Sequence, residues 1–478
     1  MSRPDSETSP APHTAASTAA VHRADLPLVR VALLGAGNVG AEVARILLED
    51  SEELGDRIGA RPELIGIAVR DVSAPRTVDL PQELLTTDAE ALIEAADVVV
   101  ELTGGIEPAR TRILSALRAG KPVVSGNKAL LAQHGPELHA AAAEAAGTSI
   151  SYEAAVAGAI PIVRPMLDSL SGDKVNRVLG IMNGTTNYIL DQMDSTGADF
   201  NDALAEAQRL GYAEADPTAD IEGHDAAAKV AILGSIAFHS SYTIDDVYCR
   251  GITGVTAEDV EAARDAGYVI KLLGVAERVT AEAHDDGSGA TAATPTSTSA
   301  GVNLRVVPTM IPRQHPLAGV RGAFNAVFVE AENAGELMFY GPGAGGAPTA
   351  SAVMGDLVAA LRRSVAGGPA VAPSFHAGLP ATNVDDVRTS FSLTLLCPDR
   401  AGVLAAISTV FAQHGVSIST MQQRDLPDAP ERPGECLAEL RIVTHRARNA
   451  DLVRTVETIR ELDEVLDLRG LIRVESAD

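Results

Sequence analysis

The chain has 478 residues, of which 46% are hydrophobic, and a formal charge of −26. At roughly 100–200 residues per domain this length implies several domains, and the hydrophobic share argues against disorder over most of it. Asp and Glu number 64 against 38 Lys and Arg, a balance that disfavours non-specific binding to nucleic acid or anionic membrane.

Residues 1–26 are rich in Ser, Thr, Ala and Pro with no apolar core, so a disordered tail is expected rather than a signal peptide. No apolar run reaches the length of a membrane span. Cys249, Cys397 and Cys436 are scattered and form no CxxC pair, as expected of reduced cysteines in a cytoplasmic protein.

A nucleotide-binding domain is predicted over 27–150. Val29–Leu34 is a β-rich run, and helical spacing follows over Glu42–Glu53. Leu64–Val69 is a second strand, Leu85–Ala96 a helix, and Asp97–Leu102 a third strand, read as apolar throughout. Arg110–Ala119 is helical and Lys121–Ser125 is a fourth strand. This alternation predicts a parallel sheet covered on both faces. From 151 to 342 the pattern becomes that of an α+β domain, with a flexible surface loop at 287–300. A glycine turn and helix over 343–365 complete the first domain, and 366–387 reads as a linker. Residues 388–478 run strand, helix, strand, strand, helix, strand, which is the ferredoxin-like βαββαβ order.

Gly35-Ala36-Gly37-Asn38-Val39-Gly40 is a GxGxxG turn between a strand and a helix, the context that gives this motif meaning. Gly35 permits the tight turn, Gly37 lets backbone approach a pyrophosphate, and Gly40 allows close helix packing. After the second strand stand Arg70 and Asp71. An arginine here accommodates the 2′-phosphate of NADP and a carboxylate binds the ribose of NAD. Arg70 comes first and favours NADP; Asp71 keeps NAD open, and a solvated surface pair is the plain alternative.

Residues 214–225 hold five acids, and Ala226–Leu233 then reads as a helix apolar almost all round, with Lys229 its sole charge. Burial lowers a lysine pKa towards the range useful for proton transfer, and Asp225 lies four residues earlier on the same face. A buried structural ion pair is the competing reading. Lys128 follows the end of a predicted parallel strand, where ligands bind in such sheets, and Thr103 follows another strand end. Asn183-Gly184-Thr185-Thr186-Asn187 is a polar turn that offers N–H and hydroxyl groups. Glu153–Pro161 has few side-chain donors and by itself reads as packing.

In order along the chain, GAGNVG, SGNKAL, EAAVAGAIP, NGTTNYIL, GYAEADPTADIEGHDAAAK and YGPGAGGAPTA resemble the homoserine dehydrogenase family, in its monofunctional form with a C-terminal ACT domain. The resemblance implies NAD(P)H-dependent reduction of L-aspartate 4-semialdehyde to L-homoserine. It implies Lys229 as proton donor with Lys128 assisting, and Glu214, Asp225 and Thr185 as substrate contacts. It assigns Asn38, Val39, Thr103, Lys128, Gly211 and Gly343 to the cofactor, and a sodium ion to Glu153, Val156, Gly158 and Ile160. Ser125-Gly126 departs from the Thr-Ala more usual there. Cys397–Leu404 resembles the ACT turn that receives a small amino acid, L-threonine in this family, and a dimer or tetramer is expected. A regulator that keeps the fold without chemistry is the competing reading.

Overall fold

The computed structural model describes residues 26–76, 78–145, 148–279, 300–368, 372–426 and 436–475. The predicted tail apart from Leu26, and the predicted loop apart from Ala300, lie outside them.

β1 (Leu28–Leu34) leads through the glycine turn into α1 (Asn38–Glu49), α2 (Ser51–Ile58) and β2 (Arg61–Ala68). β3 (Leu85–Thr86), α3 (Ala89–Ala95), β4 (Val98–Glu101) and α4 (Ala109–Arg118) follow. β5 (Val123–Ser125), α5 (Lys128–Glu144) and β6 (Ile150–Ser151) finish the unit. The six strands are parallel in the order β3-β2-β1-β4-β5-β6. The order reverses beside β1, the place where such sheets bind ligands. The sequence pattern predicts four of these strands; β3 and β6 are two-residue edge strands, too short to show a period. The helix predicted over Glu42–Glu53 is two helices meeting at Asp50. The one predicted from Leu85 starts at Ala89, because the Asp88 side chain caps it by accepting from Ala91 N at 2.9 Å.

The second part runs β7 (Val175–Ile181), α6 (Gly184–Thr196), α7 (Phe200–Arg209), α8 (Thr218–Ile221) and α9 (His224–Ala237). Next come β8 (Tyr248–Cys249), α10 (Ala257–Asp265), β9 (Tyr268–Val279) and β10 (Gly301–Pro312). β11 (Phe324–Ala331) and β12 (Gly335–Pro342) lead into α11 (Gly346–Ala366). α11 returns to the first sheet, where Val353 and Leu357 share a core with Val43 and Leu47 of α1.

The third part is β13 (Arg388–Pro398), α12 (Val403–Gln413), β14 (Ile418–Leu426), β15 (Leu437–Thr444), β16 (Ala447–Arg448), α13 (Asn449–Arg460) and β17 (Asp467–Val474). Its strands order as β17-β13-β15-β14, the ferredoxin-like arrangement. They do not form a separate sheet. β17 pairs in parallel with β10, Thr309 opposite Arg473 and Met310 opposite Val474, so one sheet runs from β12 to β14. Arg177 of β7 clamps Glu475 at 2.5 and 2.7 Å across the same junction. The segment predicted as a linker is, over residues 372–387, a strap on the second part. The Tyr242 hydroxyl donates to Leu379 O at 2.9 Å, and Val302 N donates to Pro380 O at 2.9 Å. Gly and Pro in that stretch preclude regular structure but not docking. All three cysteines are free, and among the described residues no helix is long and apolar enough to cross a membrane.

Candidate active site

Gly35 has φ +97°, and a Cβ there would lie 2.7 Å from the Leu102 carbonyl. A Cβ on Gly40 would collide with the Gly35 carbonyl. Around Gly37 nothing lies within 4 Å, and no side chain caps α1 there. The first amides of α1, at Asn38 and Val39, therefore open onto free space, which suits a pyrophosphate.

Glu101 ends β4 and is fully buried, contrary to the apolar reading of that strand. It accepts from Thr103 N at 2.7 Å, Thr103 Oγ1 at 2.5 Å and Ser125 Oγ at 2.9 Å. Ser125 Oγ in turn accepts from Asn127 N at 3.1 Å. Asn127 caps α5 through Leu130 N at 3.2 Å and donates its amide to Gly105 O at 2.6 Å. A buried carboxylate thus ties the ends of β4 and β5 together and fixes where α5 begins, at Lys128.

Lys128 makes an ion pair with Asp225. Asp225 Oδ2 also accepts from Lys229 Nζ at 2.7 Å and from Asn183 Nδ2 at 2.9 Å. Lys229 completes its shell by donating to Met182 O at 2.6 Å. Burial lowers the Lys229 pKa against the opposing pull of Asp225. Burial works to raise the Asp225 pKa, yet the two ammonium groups override it and hold it below the usual carboxylate range. The Lys128 side chain is 46% exposed against 8% for Lys229, so the buried pair meets solvent on the Lys128 side. Asp220 accepts from Asn183 Nδ2 at 2.7 Å and from Thr185 Oγ1 at 3.0 Å, which brings the polar turn into the same network.

Asn325 Nδ2 donates to the same Met182 carbonyl at 3.0 Å. Asn325 packs where a Cβ on Gly343 would stand, and a Cβ on Gly158 would lie 2.5 Å from the Gly343 backbone. The loop predicted to hold sodium therefore backs onto Gly343 and, through Asn325, onto Lys229. Ala157 and Gly158 both have left-handed backbone, at φ +58° and +61°. The Glu153 carboxylate is used internally, accepting from the amides of Ile162, Val163 and Arg164 at 2.6, 2.7 and 2.9 Å. Among the described residues, the carbonyls of Val156, Gly158 and Ile160 accept no hydrogen bond.

Arg70 is exposed and without an ion-pair partner among the described residues, whereas Asp71, also exposed, accepts from Ser73 N at 2.8 Å and Ser73 Oγ at 2.7 Å. Arg76 staples that loop, donating to Ala74 O and Asp71 O at 2.7 Å each. Gly211 has φ +78° in the turn after α7. Glu214 is exposed, and among the described residues its carboxylate makes no hydrogen bond or ion pair, while its backbone carbonyl accepts from Gln208 Nε2 at 3.1 Å.

Sequence reasoning did not single out Glu101, Ser125, Asn127, Asp220 or Asn325. Glu101 carries a signal, a carboxylate directly after the apolar run Val98–Val100. The others become site residues only through contacts between distant segments.

Family models match along the chain: a homoserine dehydrogenase NAD-binding domain at 35–153, homoserine dehydrogenase at 161–358, and an ACT domain at 391–464. A homoserine dehydrogenase of Corynebacterium glutamicum is 53% identical, covering 94% of this chain and 96% of its own. One of Mycobacterium tuberculosis is 51% identical over 94% and 98%. A crystal structure of a homoserine dehydrogenase from Thiobacillus denitrificans superposes with a TM-score of 0.82 at 38% identity, covering 94% of this chain and 99% of that one. A hyperthermophilic archaeal homoserine dehydrogenase in complex with NADPH gives 0.55 at 25% identity, over 72% and 100%. The likeness extends over all three parts and nearly the whole length, and the chain belongs to the homoserine dehydrogenase family, NAD(P)-dependent oxidoreductases acting on a CH–OH group, here with an ACT domain.

Proposed function

We propose that this chain reduces L-aspartate 4-semialdehyde to L-homoserine with NADPH, reversibly, on the way to threonine, methionine and isoleucine. The observation that carries this reading is the lysine pair on Asp225, tied through Asn127, Ser125 and Glu101 to the strand end beside the glycine turn. When bound, the dinucleotide supplies the hydride. Gly35, Gly37, Asn38, Val39 and Gly40 hold its pyrophosphate, and Thr103, Gly211 and Gly343 line its path. Lys229 donates the proton to the developing alkoxide; its lowered pKa makes it a better acid than an exposed lysine. Lys128 adds positive charge at the same oxygen. Asp225 receives the substrate ammonium at the oxygen that Lys128 occupies here, helped by Glu214, and Thr185 lines the pocket.

Arg70, exposed and without an ion-pair partner among the described residues while Asp71 is bound to Ser73, supports NADPH over NADH. The archaeal relative with NADPH supports the same choice. Free carbonyls at Val156, Gly158 and Ile160, beside Glu153, fit a hard cation such as sodium, which prefers oxygen donors. L-Threonine is the effector we assign to the Cys397–Leu404 turn, where a cleft of about 270 Å³ meets Gln423. The exposed edge strand β14 supports assembly of this chain into a dimer or tetramer through its ACT part. Free cysteines throughout accord with a cytoplasmic enzyme.

The test mixes the purified chain with L-aspartate 4-semialdehyde and follows oxidation of NADPH, then NADH. Arg70→Ala should raise the KM for NADPH about tenfold, the worth of one charge-assisted hydrogen bond, and leave that for NADH unchanged. No turnover with either dinucleotide would sink the proposal.

A further inference from the structure

Where β17 joins β10, a cleft of about 420 Å³ lies between the catalytic and ACT parts. It shares no residue with the Cys397–Leu404 turn. Four arginines line it, Arg250 from the catalytic part and Arg460, Arg469 and Arg473 from the ACT part. Among the described residues two carboxylates line it with them, Asp259 and Asp385, in a chain whose formal charge is −26. Both are already engaged. Asp259 closes the cap of α10, accepting from Thr256 N and Oγ1 at 3.0 Å each, and Asp385 accepts from Asn449 Nδ2 at 3.2 Å.

Arg473 is the key group. Its Nη2 donates to Asn449 Oδ1 at 2.7 Å, while its Nη1 is buried with no hydrogen-bond partner among the described residues. Its guanidinium carbon lies 5.4 Å from the Phe391 ring centroid and 5.9 Å from that of Tyr248. Burial disfavours its charge, and Arg305 behind it adds repulsion, which Glu277, paired to Arg305 at 2.6 Å, partly offsets. Among the described residues neither Arg250 nor Arg460 has a carboxylate within ion-pair distance. A buried donor left unmade is costly, and guanidinium forks match planar oxyanions in geometry and charge.

We propose that this junction is a binding site for a small oxyanion, a carboxylate or a phosphate, held by Arg473 with Arg250 and Arg460. Because the site draws arginines from both parts, its occupant bridges them and stabilises their junction. It is distinct from the amino-acid turn and from the dinucleotide site.

The experiment uses the full chain saturated with NADPH, so that the glycine turn is filled. Melting temperature is followed against inorganic phosphate and, separately, succinate, each matched with chloride at equal ionic strength. The expected result is a saturable rise with one of them, and the arm that responds names the ligand chemistry. Arg473→Gln should weaken that ligand about tenfold, the equivalent of one charged hydrogen bond. The double variant Arg250→Ala/Arg460→Ala should do likewise; it changes only exposed side chains, so it tests the site even if Arg473→Gln fails to fold. Absence of a saturable rise with either anion, or an equal rise in the double variant, overturns the proposal.

Discussion

Two lysines are buried in this protein, and their surroundings differ. Lys229 faces Asp225, Met182 O and the half-exposed Lys128. Lys271 of β9 is 1% exposed and donates to the Asn187 side-chain oxygen at 2.8 Å and Val320 O at 2.7 Å. No carboxylate among the described residues pairs with it. Asp191 and Asp194, the nearest acids, are taken by Arg321 at 2.8 Å and Arg313 at 2.7 Å. Burial pushes the Lys271 ammonium down to about 8. The pKa of each is depressed by desolvation, yet one opens to solvent through a charged neighbour and the other is walled in by neutral acceptors. Depression alone does not mark an acid; access does.

The comparison is broken most directly by Lys229→Met, which should cut turnover by about 10²–10⁴-fold, the usual worth of a positioned proton donor. A variant that keeps near-parental kcat would make Lys229 structural. Asp225→Asn comes next. It leaves two ammonium groups facing an amide, and we expect kcat/KM to fall by roughly 10²-fold, about the 3 kcal/mol of a broken buried pair. Its pH profile should also move, because Asp225 is what holds the Lys229 proton on. A shifted profile separates this role from simple loss of fold.

Lys271→Met should have the smallest effect on activity, with kcat and KM near the parent values, but it should alter stability. It strips a donor from Asn187 and Val320, at a cost of about 1–3 kcal/mol. The sign with pH follows from linkage. The folded pKa, about 8, lies below the unfolded value near 10.5, so between these the unfolded chain binds more protons. The parent should therefore gain stability as pH rises from about 8 towards 10.5, and Lys271→Met should lack that slope. Denaturant melts at several pH values read it directly; parallel slopes would refute the assignment.

Lys229 was legible in the sequence because one charge in an apolar helix must be explained. Val269-Ile270-Lys271-Leu272-Leu273 carries the same signal in a strand, and Glu101 carries it at the end of β4. Both escape a reading that looks for charge only beside recognised turns. Periodicity was enough for the nucleotide sheet and for the ferredoxin-like order of the ACT part. It could not reveal β3 and β6, each only one period long, nor the break at Asp50 between α1 and α2. Asp220 and Asn325 were illegible for another reason. Their roles arise from Asn183 and Met182, which lie far along the chain, and no local pattern encodes such a meeting.

The pairing of β17 with β10 changes what kind of machine this is. A domain on a tether can swing. An ACT domain that is itself part of the sheet cannot swing without tearing a ladder, and its natural deformation is a change of twist. Here that sheet passes from β17 to β10, along the length of β9, and on to β7, whose last residue precedes Met182. The carbonyl that seats the Lys229 ammonium thus hangs from the same woven fabric, three strands in from the ACT part.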